Sequence, residues 1–202
     1  ALRDIGLCSI DEPFQRLLCQ GMVLKDGAKM SKSLGNTVDP GSIIDEYGAD
    51  TARLFILFGA PAERDLEWSD TAVEGSFRFL GRVFRLCTED HPLKQGSEKA
   101  LEQIRHKTIQ SVTQDIERFS FNTAISRLME FVNFMYANGT SKEAIETLLL
   151  LLAPFAPFIT EELWASLGQS SSIHTASWPT FNAELTQEER VTLVVQVNGK
   201  VR

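Results

Sequence analysis

This sequence has little from which to build a disulfide framework, a metal centre or a membrane span. Cys8, Cys19 and Cys87 are its only cysteines. They are odd in number and too scattered for a C-x-x-C site, so they read as reduced thiols of a cytoplasmic protein. His91, His106 and His174 show no metal-ligand spacing, and no metal site is assigned. The longest aliphatic run, five leucines over 148–152, is closed off by Pro154 and Pro157. It falls far short of the roughly 20 apolar residues a spanning helix needs. Ala1-Leu2-Arg3-Asp4 leads into polar sequence with none of the features of a secretory leader. Positive charge is also scarce: 20 Lys and Arg stand against 27 Asp and Glu, a net charge of -7. That balance excludes nucleic-acid binding driven by the overall field and leaves only local basic patches. With 202 residues and 43% apolar content, the chain can bury the core of one domain or of two small ones.

Against this plain background one short run stands out, Lys29-Met30-Ser31-Lys32-Ser33, followed by Leu34-Gly35-Asn36. Two ammonium groups within four residues, on a small polar loop next to glycine, suit phosphate oxygens. Lysine is a compact charge on a flexible stem and can follow charge that moves during a reaction. Two unrelated lysines on a solvated loop would explain a bare K-x-x-K equally well. The full eight-residue order is what favours the functional reading.

The flanking residues place the loop. Residues 21–24 read as a short strand, Lys25-Asp26-Gly27 as a turn, and 28–31 as the returning strand, since Asp-Gly supplies the positive φ angles of a tight hairpin. Asp39-Pro40-Gly41-Ser42 opens a short helix carrying Ile43, Ile44 and Tyr47, capped by Gly48. Asp50 is the expected N-cap of a second helix, running to about Phe58 and stopped by Gly59-Ala60-Pro61.

From Asp70 to about Gly168 the apolar period is helical. Val73, Phe77, Leu80 and Phe84 are expected to line the buried face of a first helix. A second, entered through Ser97, carries Leu101, Ile104, Thr108, Val112 and Ile116. A third, capped by Asn122, carries Ile125, Leu128, Met129, Val132 and Met135. A fourth, capped by Ser141, carries Ile145, Leu148, Leu149 and Leu152. A fifth starts near Pro157 with Ile159, Leu163, Trp164 and Leu167. Short polar connectors between long amphipathic helices imply an antiparallel bundle, with the Met and Phe stripes as core. Beyond it, 191–197 alternates as a strand and Asn198-Gly199 signals a two-residue hairpin. The returning strand would begin at Lys200, so the chain is expected to stop inside a β element.

The lysine run resembles the second signature of class I aminoacyl-tRNA synthetases. Gln20-Gly21-Met22-Val23-Leu24, Tyr47-Gly48-Ala49-Asp50-Thr51-Ala52-Arg53-Leu54-Phe55 and Asp65-Leu66-Glu67-Trp68-Ser69-Asp70 are similar to the leucyl branch of that class, and the resemblance runs on to Lys200. Trp68 itself reads as packing rather than ligand contact. The resemblance implies the following. The parent enzyme would use ATP with Mg²⁺ to activate leucine as leucyl-adenylate and would transfer leucyl to tRNA(Leu). Lys32 and then Lys29 would be the catalytic residues, steadying charge on the departing pyrophosphate, with Ser31 and Ser33 completing the ATP-binding set. Gly35 would give backbone freedom and Asn36 would fix the exit of the loop.

The fold implied is mainly α, in three parts. Residues 1–60 would be the end of the catalytic region, a stem-contact connector of β-hairpin and helices. Residues 61–180 would be the helical anticodon-binding-like bundle, and 181–202 the start of a truncated C-terminal domain. The first class I signature, His-Ile-Gly-His or similar, is missing, as is the parallel nucleotide-binding sheet. The chain therefore reads as a carboxyl-terminal fragment, inactive alone. On the bundle, Arg78, Arg82 and Arg85 share a helix face, and Arg105 and Lys107 lie on the next helix. Charge pattern alone makes these solvated faces; the resemblance makes them tRNA contacts. Two alternatives stay open: the same region of an isoleucyl, valyl or methionyl enzyme, and a free-standing helical RNA-binding module.

Overall fold

The computed structural model describes residues 3–12, 14, 16–186, 196–197 and 200–201. Asp26 (φ 56°) and Gly27 (φ 71°) form the expected tight turn. They join β1 (Val23–Lys25) to β2 (Ala28–Lys29), paired antiparallel through Leu24 with Lys29 and Lys25 with Ala28. The strands are shorter than the alternation suggested, since Met30 makes one more backbone bond to Val23 O and the chain then leaves the ladder. A third strand, β3 (Leu66–Glu67), lies parallel to β1, giving the order β2-β1-β3. Two residues are too few for a periodic signal, and the sequence reading had no strand there. Gly21 is required where the sheet begins. A Cβ on it would stand 2.1 Å from Arg64 O.

Between β1 and β3 the chain crosses through α1 (Pro40–Tyr47) and α2 (Ala49–Gly59). Asp39 caps α1, its carboxylate accepting from Gly41 N–H. Gly48, at φ 85°, makes the corner into α2, a conformation side chains rarely adopt. Then come α3 (Asp70–Thr88), α4 (Glu98–Glu117), α5 (Phe121–Asn138), α6 (Lys142–Leu152), α7 (Pro157–Ser166) and a short α8 (Ala183–Thr186). The helical body is therefore as the period predicts. Ser141 caps α6 as expected, its hydroxyl accepting from Ala144 N–H. Asn122 does not cap α5, which begins one residue before it at Phe121. None of the described helices is long and apolar enough to cross a membrane.

Most of the buried apolar residues join one core that includes Leu54 of α2, Leu80 and Val83 of α3, Ile109 of α4, Phe131 of α5, Leu148 of α6 and Leu163 of α7. A smaller core holds Phe55, Leu66 and Val73, with Val23, Ile43, Tyr47 and Trp68 around it. Trp68 sits edge-on to Phe55 at 4.9 Å, so the packing role expected of it holds. Leu54 and Phe55, adjacent in sequence, thus belong to different cores, and α2 shares this with α3, whose Val73 joins the small core and Leu80 the large one. One expected face is displaced. On α3, Phe79, Val83 and Leu86 are buried with Val73 and Leu80, whereas Phe77 and Phe84 are 49% and 48% exposed. Both choices satisfy a helical period, and tertiary packing selected the stripe about a quarter-turn away.

Asp50 is the second correction. It lies in the first turn of α2, whose N-cap is Gly48. Its carboxylate instead accepts from the backbone N–H of Phe158 (3.3 Å) and Ile159 (2.7 Å), at the start of α7. Helix α7 has Ala156 at its N-cap and Pro157 in its first turn, so it supplies no cap of its own.

Near the C-terminal end, Gln196 pairs with Val201 and Val197 with Lys200, antiparallel, and the returning strand begins at Lys200 as expected. The strand expected over 191–195 and the Asn198-Gly199 turn lie outside the described residues.

Asp50→Ala should remove a buried charged cap and cost about 2 kcal/mol, the upper range for a cap or a charged hydrogen bond. For a domain of this size that lowers the melting midpoint by roughly 4–8 °C. Thermal melts followed by circular dichroism check it, and a shift under about 1 °C would mean that α7 needs no cap.

Candidate functional site

The lysine loop is held by side chains rather than by regular structure. After Lys29 ends β2, Ser31 adopts extended backbone and caps a single 3-10 turn, Lys32–Leu34, which Gly35 closes at φ 65°. Ser31 Oγ accepts from Leu34 N–H at 3.2 Å and lies 2.9 Å from Ser33 Oγ. The two hydroxyls therefore shape the turn. Asn36 is the clamp. Its Oδ1 accepts from Ser31 N–H at 2.9 Å, and its Nδ2 lies within 3.3–3.4 Å of the carbonyls of Lys25, Ala28 and Lys29. One amide thus spans the hairpin strands and the loop leaving them.

Two carboxylates brace the hairpin from the other side. Asp65 accepts from Met22 N–H (2.8 Å) and Glu67 from Gly27 N–H (3.2 Å). The run from Asp65 to Trp68 thereby acquires a physical role the sequence did not disclose: Leu66 fills the small core, while Asp65 and Glu67 hold the hairpin. Lys29 and Lys32 are left exposed at its end. Two mobile ammonium groups on a fixed backbone suit a ligand that brings several phosphate oxygens at once.

The expected basic residues do not form one surface. Arg78 and Arg85 are exposed on α3. Arg82 is turned toward α5, where it donates to Asn133 Oδ1 at 2.8 Å and lies 4.8 Å over the Tyr136 ring. Arg105 is 18% exposed and bound to Glu102 through Nε (3.1 Å) and Nη2 (2.7 Å), with Nη1 3.4 Å from Thr147 Oγ1. Lys107 is exposed beside them on α4. The structure thus separates a two-arginine face on α3 from a salt-bridged cluster on α4. Glu102, three residues before Arg105, was the sequence signal for that pairing.

The α4 cluster also holds the chain beyond the bundle. His106 Nδ1 accepts from Asn182 N–H at 3.1 Å, which puts the ring proton on Nε2, 3.5 Å from Glu102 Oε2. Trp178 Nε1 donates to Thr113 Oγ1 at 2.8 Å about two turns further along α4. Burial, then the neighbouring Arg105 charge, hold the His106 pKa below its ordinary value, against an upward pull from Glu102. The Glu102 carboxyl is held low, chiefly by its hydrogen bond from Arg105.

Comparison with known proteins supplies the class. Residues 98–202 match the family described as the anticodon-binding domain of tRNA ligase, and residues 7–69 match tRNA synthetases class I (I, L, M and V). The chain belongs to the family of tRNA ligase anticodon-binding domains, and its first third is similar to the class I synthetases. Its relatives narrow that class. Leucine–tRNA ligases from Geotalea uraniireducens (strain Rf4) and Geotalea daltonii are 54% and 51% identical over 222-residue alignments. Both alignments take in 100% of this chain and 27% of the relative, so the chain spans about a quarter of their length. Among solved structures, the LeuRS of an Agrobacterium radiobacter K84 agnB2 LeuRS-tRNA-LeuAMS ternary complex superposes over 100% of this chain and 29% of its own. Its TM-score is 0.81 at 37% identity. A Mycobacterium tuberculosis methionyl-tRNA synthetase covers 75% of this chain and 38% of its own at TM-score 0.59 and 20% identity, a likeness of fold.

Two outcomes follow from this geometry. Asn36→Ala should loosen the loop without touching the bundle. Trypsin should then cut after Lys29 or Lys32 at least about threefold faster while the helical melt is unchanged, as local opening separates from global unfolding. Equal cleavage rates would remove Asn36 from the clamp. For His106, the unfolded ring takes a proton near its ordinary 6.5 and the folded ring only lower. Its stabilisation is therefore full above about pH 6.5 and is lost as pH falls through the folded value. Melting at pH 7.5 and 5.5 should show a smaller acid loss for His106→Gln than for wild type, His91 and His174 being common to both. An identical loss would show that His106 does not carry it.

Proposed function

We propose that this chain is the lysine-loop and tRNA-binding portion of a leucine–tRNA ligase. The parent enzyme activates leucine with ATP to leucyl-adenylate and transfers the leucyl group to tRNA(Leu), in the cytoplasm. The observation that carries this reading is the clamped turn: Asn36, Ser31 and Ser33 fix the backbone, and Lys29 and Lys32 extend from it into solvent. The named relatives, matching across the whole chain, support the leucine branch.

In this mechanism Lys32, on the 3-10 turn, holds negative charge as it gathers on the pyrophosphate leaving the α-phosphate of ATP, and Lys29 assists from the end of β2. The electrostatic gain is largest where charge develops, not where it rests. Ser31 and Ser33 act on the loop's shape. Mg²⁺ would arrive with the phosphates. Among the described residues no cluster of three or more His, Cys, Asp or Glu is suited to hold a metal ion. The division at about residues 60 and 180 is likewise a proposal. It is qualified by α2, which packs into both cores. The bundle contacts tRNA, with Arg78 and Arg85 best placed and Arg82, Arg105 and Lys107 in secondary positions.

Lys32→Ala in the full-length ligase should slow leucine-dependent pyrophosphate exchange by about a hundredfold or more, the usual loss on removing one transition-state contact. The KM for leucine should hardly move. Exchange within threefold of wild type would exclude Lys32 from the chemistry.

A further inference from the structure

The lysine loop hangs from a hairpin too small to hold its own direction. β1 and β2 pair through Leu24 with Lys29 and Lys25 with Ala28, and a lone two-stranded ribbon is marginal in water. Asn36 ties the loop to that hairpin, and to nothing beyond it. Where the lysines aim is therefore set by what holds the hairpin, and the strand beside β1 is β3.

β3 is a fixed support. Leu66 is buried in the small core. Its N–H donates to Met22 O at 2.9 Å, and Trp68 N–H donates to Leu24 O at 2.8 Å. From this strip two carboxylates reach the two ends of the hairpin. Asp65 accepts from Met22 N–H at the base (2.8 Å) and Glu67 from Gly27 N–H in the turn (3.2 Å). The register sets Glu67 beside Leu24 and Leu24 beside Lys29, so the three share one face of the sheet. Lys29 is thus two strand spacings, about 9.5 Å, from Glu67.

Both carboxylates are exposed. Water would satisfy Met22 N–H and Gly27 N–H if the side chains were cut back, so folding gains little from these bonds. Direction gains more. One bond at the base and one at the turn fix the tilt of the hairpin against β3, which neither bond does alone.

We infer that Asp65 and Glu67 are positioning residues for leucyl-adenylate formation, acting through the hairpin on Lys29 and Lys32. The inference rests on the proposed role of the lysine loop and adds to it two residues that touch no substrate.

The test uses the full-length ligase and leucine-dependent pyrophosphate exchange. Asp65→Ala with Glu67→Ala should lower kcat by about tenfold or more, since rate falls steeply when a catalytic group is misplaced. The KM for leucine should hardly move. Asp65→Asn with Glu67→Gln keeps a carbonyl acceptor at each place and should restore kcat to within about threefold of wild type. The alanine pair is also placed in Lys32→Ala. A loss of folded enzyme multiplies whatever rate remains, so a structural defect costs the same factor with or without Lys32. Positioning acts through the lysine, so its cost should shrink to about threefold or less once Lys32 is gone. Equal factors in the two backgrounds would overturn the inference. No recovery by the Asn and Gln pair would do the same, since charge rather than the bond would then be acting. Wild-type kcat in the alanine pair, with the Lys32→Ala defect intact, would overturn the positioning role and leave the lysine role standing. Lys32→Ala exchanging at the wild-type rate would overturn both.

Discussion

Asp50 closes the N-terminus of a helix more than a hundred residues further along the chain, and that contact joins the two halves of the structure by hydrogen bonds as the large core joins them by packing. The chemistry is local and simple. The first N–H groups of a helix have no partner inside it. Proline in the first turn of α7 has none to offer, and Ala156 brings no side-chain acceptor. The N–H groups of Phe158 and Ile159 would stay unsatisfied in a half-buried place. A carboxylate supplied from α2 accepts both, and its charge opposes the positive end of the helix dipole. Because Asp50 is itself in the first turn of α2, the contact fixes the two helix starts against each other. Arg53, one turn on, adds a bond to Pro154 O at 3.2 Å. Together they tie the element that follows the lysine loop to the last helices of the bundle.

The same helix explains how the loop can be both exposed and well placed. Leu54 enters the large core and Phe55 the small one, so α2 cannot shift without disturbing both. The small core carries Leu66, and the residues either side of Leu66, Asp65 and Glu67, bond the hairpin backbone. Rigidity therefore passes from the bundle to β3 and from β3 to the hairpin through packing and hydrogen bonds. It ends at Asn36. Beyond that clamp only side chains are free to move, which suits groups that must meet a charge as it forms.

What could be read from the sequence was whatever depends on neighbours in the chain. Asp26-Gly27 needs only its own positive φ angles, and Asp39 and Ser141 need only an N–H two or three residues on; all three behave as read. The lysine loop was legible because its order of residues is unusual in itself. The failures share the opposite property. Asp50 looks like a local cap because sequence cannot show that a distant helix start is the needier partner. Phe77 and Phe84 satisfy the helical period as well as Phe79 and Leu86 do, and only the position of α5 and α7 decides between the stripes. Arg105 looked free to meet phosphate, although Glu102 stood at the spacing that pairs it.

That last contrast bears on the proposed contact between this acidic chain and tRNA. Its positive charge is not spread as a field. On α4 it is consumed: Arg105 neutralises Glu102 and helps to keep His106 uncharged, so that the ring can accept from Asn182. On α3 it remains available in Arg78 and Arg85, both exposed. An interface made this way gains little from long-range attraction and much from contacts made after encounter. Its affinity would then sit more in the rate of leaving than in the rate of arrival. Salt would act on the arginines alone. For a chain of net charge -7, confining attraction to one helix face also limits binding of unrelated polyanions.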